Sequence, residues 1–278
     1  MHRLIDNALA PLDWLIGSAG FGNLFVTYYN GPFAFLARRR NRYVARKVRN
    51  LLSGELQVRS GIFQGLRYSS PEAKTSAILP KLLGTYEAEL ASVLYNLLKK
   101  RKYQRCIDIG AAEGYYAIGI AREQTQCQVY VVDNDLSALD LCARNVEINN
   151  CSDRIHFKTH LTADELAEFN LPDPSLIISD CEGFERHLFT EKVIQNLKNC
   201  DLIIEVHDFV DPTISNYLKG LFRSTHRLEV VTSIPDQAKA MTYDVPEIAQ
   251  YDPATRAYLL SEFRPCLMDW FVFTPIAR

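Results

Sequence analysis

Two strings in this chain place acids and an imidazole where strands would end. Asp180-Cys181-Glu182-Gly183-Phe184-Glu185 follows the apolar run Leu176-Ile177-Ile178, and Glu205-Val206-His207-Asp208 follows Leu202-Ile203-Ile204. Side chains alternate along a strand, so if that period persists to the tips, Asp180 shares a side with Glu182, and Glu205 with His207. Adjacent tips would then gather the groups that take a proton from a hydroxyl or hold a divalent cation. His207 is the expected base, with Asp180 or Glu182 as the alternative base or as the group that orients an acceptor. A purely structural His207 is the competing reading. Asp180 and Glu182, joined by His207 or Asp208, are also the expected ligands if a divalent metal acidifies the acceptor hydroxyl. Plainer roles are expected for Glu185, in the first turn of the next helix, and for Glu205, holding a neighbouring loop through its amides.

A third string, Cys106-Ile107-Asp108-Ile109-Gly110-Ala111-Ala112-Glu113-Gly114 followed by Tyr115-Tyr116-Ala117, reads as strand, glycine turn and helix. Glycines at this junction let the loop backbone approach a bulky charged ligand. A dinucleotide site wants Gly-x-Gly-x-x-Gly to seat a pyrophosphate, and here Ala112 stands at the second glycine position. Asp108 and Glu113 add negative charge, which repels a diphosphate and suits a ligand carrying a sulfonium and an ammonium. S-adenosylmethionine is such a ligand. A second apolar run, Val129-Tyr130-Val131-Val132, ends in Asp133 about 20 residues beyond the loop, where a carboxylate accepts both ribose hydroxyl protons. The plain alternative is a β-α turn that binds nothing, with Asp108 capping it.

These residues need a sheet to bring them to one edge, and the periodicity supplies one. Apolar residues at helical spacing mark 86–98. There follow strand 105–109, helix 114–122, strand 128–132, helix 136–149, strand 154–158, helix 163–169, strand 175–179, helix 190–198, strand 201–207 and helix 212–222. Such alternation implies a parallel sheet covered on both faces, with ligands outside the carboxyl ends of its strands. Residues 227–232 and 270–273 read as two last strands. Between them, 235–265 holds Pro235, Pro246, Pro253 and Pro265 among Tyr243, Tyr251 and Tyr258, and is expected to be an irregular substrate lid. Its tyrosines suit sugar or aromatic stacking, or packing alone.

The strings Asp108-Ile109-Gly110-Ala111 with Gly114-Tyr115-Tyr116, Asp180-Cys181-Glu182-Gly183-Phe184-Glu185 and Ile203-Ile204-Glu205-Val206-His207 resemble the class I S-adenosylmethionine-dependent methyltransferases, specifically the FkbM-like group. Gly84-Thr85-Tyr86-Glu87 and Arg264-Pro265 before Trp270 add to the resemblance, which covers about 80–275. Asp133-Asn134 departs from the Glu-Pro often found there, though its acid still suits ribose. The resemblance implies a Rossmann-like doubly wound α/β sheet of seven strands, mostly parallel with the last antiparallel, in a catalytic domain at 81–278 after an N-terminal helical extension at 1–80. It implies cofactor contacts from Glu87, Asp108, Gly110, Ala111, Gly114, Tyr115, Asp133, Asn134 and Asp180, and methyl transfer usually to an oxygen. The expected acceptor is a hydroxyl on a small molecule or glycan. A methyltransferase on RNA or protein is the runner-up, and a non-catalytic binding subunit is third. Nucleic acid is disfavoured as a partner because strand four lacks the Asn/Asp-Pro-Pro-aromatic string of nucleic-acid N-methylation and carries an extra carboxylate.

The 278 residues have a formal net charge of −2 at pH 7, which excludes a global polyelectrolyte role. The average hides an asymmetry: residues 1–60 hold nine Lys and Arg against three Asp and Glu, and the rest hold 22 against 30. Most of the positive charge lies in 38–49, expected as a solvated helix face, with a polyanion or lipid surface as the secondary reading. Before it, 14–37 is free of charge and long enough to span a bilayer, yet carries Gly17, Gly20, Gly22, Gly31 and Pro32. It is expected to form an apolar cap on the body; peripheral membrane or protein contact through 11–49 is the variant, and a span comes last. No signal-peptide pattern is present. Seven cysteines without Cys-x-x-Cys spacing read as buried thiols of a cytoplasmic protein, or a membrane-peripheral one. Oligomeric state is left open.

Overall fold

The computed structural model describes residues 34–52, 56–74 and 77–276. Its centre is a seven-stranded sheet: β1 (Arg105–Ile109), β2 (Gln128–Val132), β3 (Ile155–Lys158), β4 (Ser175–Ser179), β5 (Asp201–Val206), β6 (His226–Thr232) and β7 (Asp269–Pro275). Their order is β3-β2-β1-β4-β5-β7-β6. Strands β1 to β5 pair in parallel, and β7 runs antiparallel between β5 and β6. This is the Rossmann-like doubly wound sheet, with its last strand reversed. Register puts Ile109 beside Val132 and Ser179, and Ser179 beside Ile204, so the tips of β1, β2, β4 and β5 end at one edge.

The central strands are buried on both faces because their side chains alternate between two cores. Cys106, Val129, Val131, Leu176, Ile178, Ile203, Trp270 and Val272 share one core with helices α1 (Ala34–Leu52), α2 (Ile78–Leu83), α3 (Ala91–Lys100), α4 (Tyr115–Glu123) and α5 (Leu136–Ile148). Ile107, Ile109, Ile177, Leu202, Ile204, Phe271 and Phe273 face the other, covered by α6 (Ala163–Glu168), α7 (Glu185–Leu188), α8 (Ile194–Leu197) and α9 (Ile214–Phe222). Val44, Val48, Val58, Phe63 and Leu66 lie in the first core, so the described part of the first 80 residues shares it. A Cβ on Gly119 would stand 2.4 Å from the Phe63 ring, so α4 is shaped to receive that aromatic.

Two stretches differ from the sequence expectation. The run 190–198 opens as a 3-10 turn, Glu191–Val193, before α8, and α7 precedes it. The segment 235–265 is largely helical, with α10 (Asp236–Thr242), a 3-10 turn at Pro246–Ile248 and α11 (Pro253–Leu259). Its prolines start helices rather than prevent them: Pro246 and Pro253 occupy first turns, where no amide donor is needed, and Asp252 caps α11 by accepting from the Thr255 amide. Residues 1–33, which hold most of the expected apolar cap, lie outside the described residues. Among the described residues no helix is long and apolar enough to cross a membrane. All seven cysteines are unpaired, and five are buried.

Candidate active site

The loop after β1 is held by backbone geometry that few sequences supply. Gly110 and Gly114 adopt φ 75° and 89°, and Ala112 is forced to φ 47°. A Cβ on Gly110 would stand 1.6 Å from the Asp180 carbonyl, and one on Gly114 would stand 2.5 Å from Cys142 Sγ. The glycines therefore answer to protein packing as well as to any ligand. Amides of Gly110 and Ala111 donate to the Val132 carbonyl, and the Ala112 amide donates to Asp133 Oδ2 at 2.8 Å, tying the loop to the tip of β2. Asp133 is half-buried and Asn134 exposed at the rim.

Asp108 and Glu113 separate in role. The buried Asp108 accepts from the Ala117 amide at 2.9 Å, and burial, reinforced by the charges of Asp180 and Asp133, pushes its carboxyl up to about 7. Glu113 contributes no charge to the ligand side. It is fully buried, paired with Lys81 Nζ and accepting from the Lys74 amide, so that part of the loop's expected electrostatics is corrected. Lys81, Tyr86, Asp108, Gly110, Ala111, Ala112, Tyr115, Tyr116, Ile178 and Asp180 line one cleft over the loop.

A second cavity, of about 150 Å³, lies beside it and contains Glu87, Asp180, Glu182, Glu205, His207, Glu262 and Arg264. His207 sits at its base with 1% exposure. Its Nδ1 meets Glu185 Oε1, while Nε2 lies 3.3 Å from Asp180 Oδ1, 3.5 Å from Glu182 Oε2 and 3.9 Å from Glu205 Oε2. The two strand tips thus converge as their alternation implied. Burial pulls the imidazole down, but hydrogen bonds and charge from Asp180 and Glu185 outweigh it and push it up to about 10. That direction favours the protonated imidazole, a donor to these carboxylates, over the expected role of base. Burial and Asp180 raise the Glu182 carboxyl. Glu185 stands in the first turn of α7 as expected and also orients His207. Glu205 pairs with Arg264 rather than with loop amides.

Arg264 was not among the expected site residues, although Arg264-Pro265 carried part of the resemblance. It donates to Glu87 Oε1 at 2.8 Å, to Glu262 Oε2 at 2.9 Å and to Glu205. Glu87, expected with the cofactor, points its carboxylate at Arg264 and the Tyr116 hydroxyl and lines the second cavity. Asp180, Glu205 and His207 present atoms within 4.8 Å of one another, so a divalent cation there would recruit Glu205 where Glu182 was expected. Five non-glycine residues have positive φ among the described residues, and four of them, Glu87, Ala112, Glu182 and Phe263, line these two pockets. Strained backbone of this kind persists where the surrounding structure holds a site in shape. The larger cleft between Gly61 and α3, about 470 Å³, contains none of the strand-tip acids.

Residues 89–172 match the family model of the methyltransferase small domain. The matched segment, under a third of the chain, runs from α3 through β1, the glycine loop, β2 and β3. No curated protein matches the chain. Among solved structures it is similar to precorrin-6Y C5,15-methyltransferase from Geobacter metallireducens, with a TM-score of 0.46 and 13% identity over 67% of this chain and 87% of that one. It is also similar to TrmN from Thermus thermophilus, with a TM-score of 0.43 and 16% identity over 71% and 49%. A third is the tRNA (uracil-54, C5)-methyltransferase of Pyrococcus abyssi in complex with S-adenosyl-L-homocysteine, with a TM-score of 0.42 and 14% identity over 69% and 39%.

Proposed function

We propose that this protein transfers a methyl group from S-adenosylmethionine to a hydroxyl oxygen of a small molecule or glycan. The observation that carries the reading is the shared wall: Tyr86 and Asp180 line both the loop cleft and the acid cavity, so a donor over the glycine loop and an acceptor among the acids meet there. The residues fit the cofactor. Asp180 Oδ1 is shielded from solvent with the His207 imidazole 3.3 Å away, and burial pushes the Asp108 carboxyl up to about 7, so a cationic ligand improves both. Asp133 retains lone pairs for the ribose hydroxyls beyond its bonds to the Ala112 and Asp135 amides. When bound, S-adenosylmethionine supplies an electrophilic methyl on a sulfonium.

The chain's own task is then to align the acceptor oxygen and receive its proton. Glu182 suits the second part, because burial and Asp180 raise its proton affinity and its carboxylate opens to the cavity. His207 acts as a fixed cation that holds Asp180, Glu182 and Glu205 together against their repulsion, and Glu185 fixes its orientation. Arg264 pins Glu87 and Glu205 from the other side. A second reading rests on the Asp180, Glu205 and His207 donor set: with a neutral imidazole these residues would hold a divalent cation that would acidify the acceptor hydroxyl, and chelation would then abolish turnover.

The test follows labelled methyl from S-adenosylmethionine into hydroxylated acceptors, with the new linkage identified by mass spectrometry. Methyl ether formation is expected, lowered about 10²- to 10⁴-fold in Glu182→Gln, the range lost with a general base. Label entering RNA, protein or a carbon centre instead would overturn the oxygen acceptor. Restoration of chelator-treated enzyme by Mg²⁺ would favour the metal reading.

A further inference from the structure

We propose that the groove between α1 and the lid binds a phosphate ester carried by the methyl acceptor, a reading that rests on the acceptor entering the acid cavity. The groove, about 340 Å³, is lined by Arg42, Arg46 and Arg49 on one wall and by Tyr258, Ser261 and Phe263 on the other. The three arginines recur at helical spacing and so share one face of α1. Arg42 and Arg46 are exposed and Arg49 is half-buried. Among the described residues none of the three has a carboxylate partner, and no carboxylate lines the groove. Arg40, on the same helix, behaves differently: it is buried and paired with Asp252 and Thr255 at the start of α11. That buried pair fixes α1 against the segment 235–265, so the arginine face of the helix stands opposite the aromatic wall.

Phe263 joins the groove to the active site. The residue is 65% exposed, its φ is 57°, and it lines both the arginine groove and the acid cavity. An exposed aromatic held in a conformation that costs energy, between a pocket of acids and a groove of arginines, divides one binding surface into two halves of opposite sign. An acceptor matching it has hydroxyls at its reacting end, an apolar or sugar face over Phe263, and an anion beyond. Three planar guanidinium forks on one face match phosphate oxygens bidentately and exceed what a single carboxylate requires.

The probe is inorganic pyrophosphate, titrated by calorimetry into the full chain saturated with S-adenosylhomocysteine, for the native protein and for Arg42→Gln/Arg46→Gln/Arg49→Gln. These positions lie outside the cofactor cleft, so the triple variant should bind S-adenosylhomocysteine unchanged, which also shows that it is folded. Pyrophosphate should bind the native chain, and the triple variant should lose about tenfold or more in affinity, as expected for charged hydrogen bonds. Absence of pyrophosphate binding, or equal binding by the triple variant, would overturn the site. Capture by vesicles of anionic phospholipid through the same arginines, without pyrophosphate binding, would also overturn it and make the groove a membrane contact. Failure of S-adenosylhomocysteine to bind alongside arginine-dependent pyrophosphate binding would fault the methyltransferase reading and uphold the phosphate site.

Discussion

Asp108 is the residue whose protonation most directly reports on the donor side. Its carboxyl is pushed up to about 7 by burial and by neighbouring acids, so below that pH it is neutral in the free protein. Pairing with the ammonium of the ligand requires the ionised form, and binding then releases a proton. The affinity for S-adenosylhomocysteine should therefore rise by up to about tenfold per pH unit below 7 and level off above it. Calorimetry between pH 5.5 and 8 in buffers of different ionisation heat checks this, and Asp108→Asn should abolish the slope. The sequence shows that Asp108, Asp180, Glu182 and His207 belong near one edge, because strand alternation and chain order determine it. It does not show their charge states. Those depend on Glu185 reaching His207 from another element and on Glu113 turning inward to Lys81, contacts separated by 22 and 32 positions in the chain.

At the scale of elements, the loop between β1 and α4 is braced by the Lys81–Glu113 pair, both members buried and one of them on α2. Removing one member of a buried pair strands the other charge, so Lys81→Met should cost about 3–5 kcal/mol of stability in denaturant unfolding. Adding Glu113→Gln to that variant should recover part of the loss. A change no larger than that of an exposed lysine would show that the pair does not brace the loop. The strands and most long helices were legible because each carries an apolar run or a 3.6-residue period. The segment 235–265 reads as irregular because its prolines look like breakers until Asp252 is seen as a cap and Pro253 as the first residue of α11. Nor does local pattern reveal that Arg40 ties α1 to that helix, since the partners are 212 positions apart.

Across the whole molecule, opposite charges are segregated around one edge of the sheet. Asp108, Asp180, Glu182 and Glu205 line the two adjoining pockets, while Arg42, Arg46 and Arg49 of α1 line the groove on the far side of Phe263. This arrangement suits a cationic donor and an acceptor polar at one end and anionic at the other. The central claim is the cofactor, and titration of the intact chain with S-adenosylhomocysteine tests it most directly. One site per chain is predicted, with affinity reduced about tenfold or more in Asp133→Ala through loss of charged hydrogen bonds to the ribose. Absence of binding, or binding that neither Asp133→Ala nor Asp108→Asn weakens, would contradict the assignment.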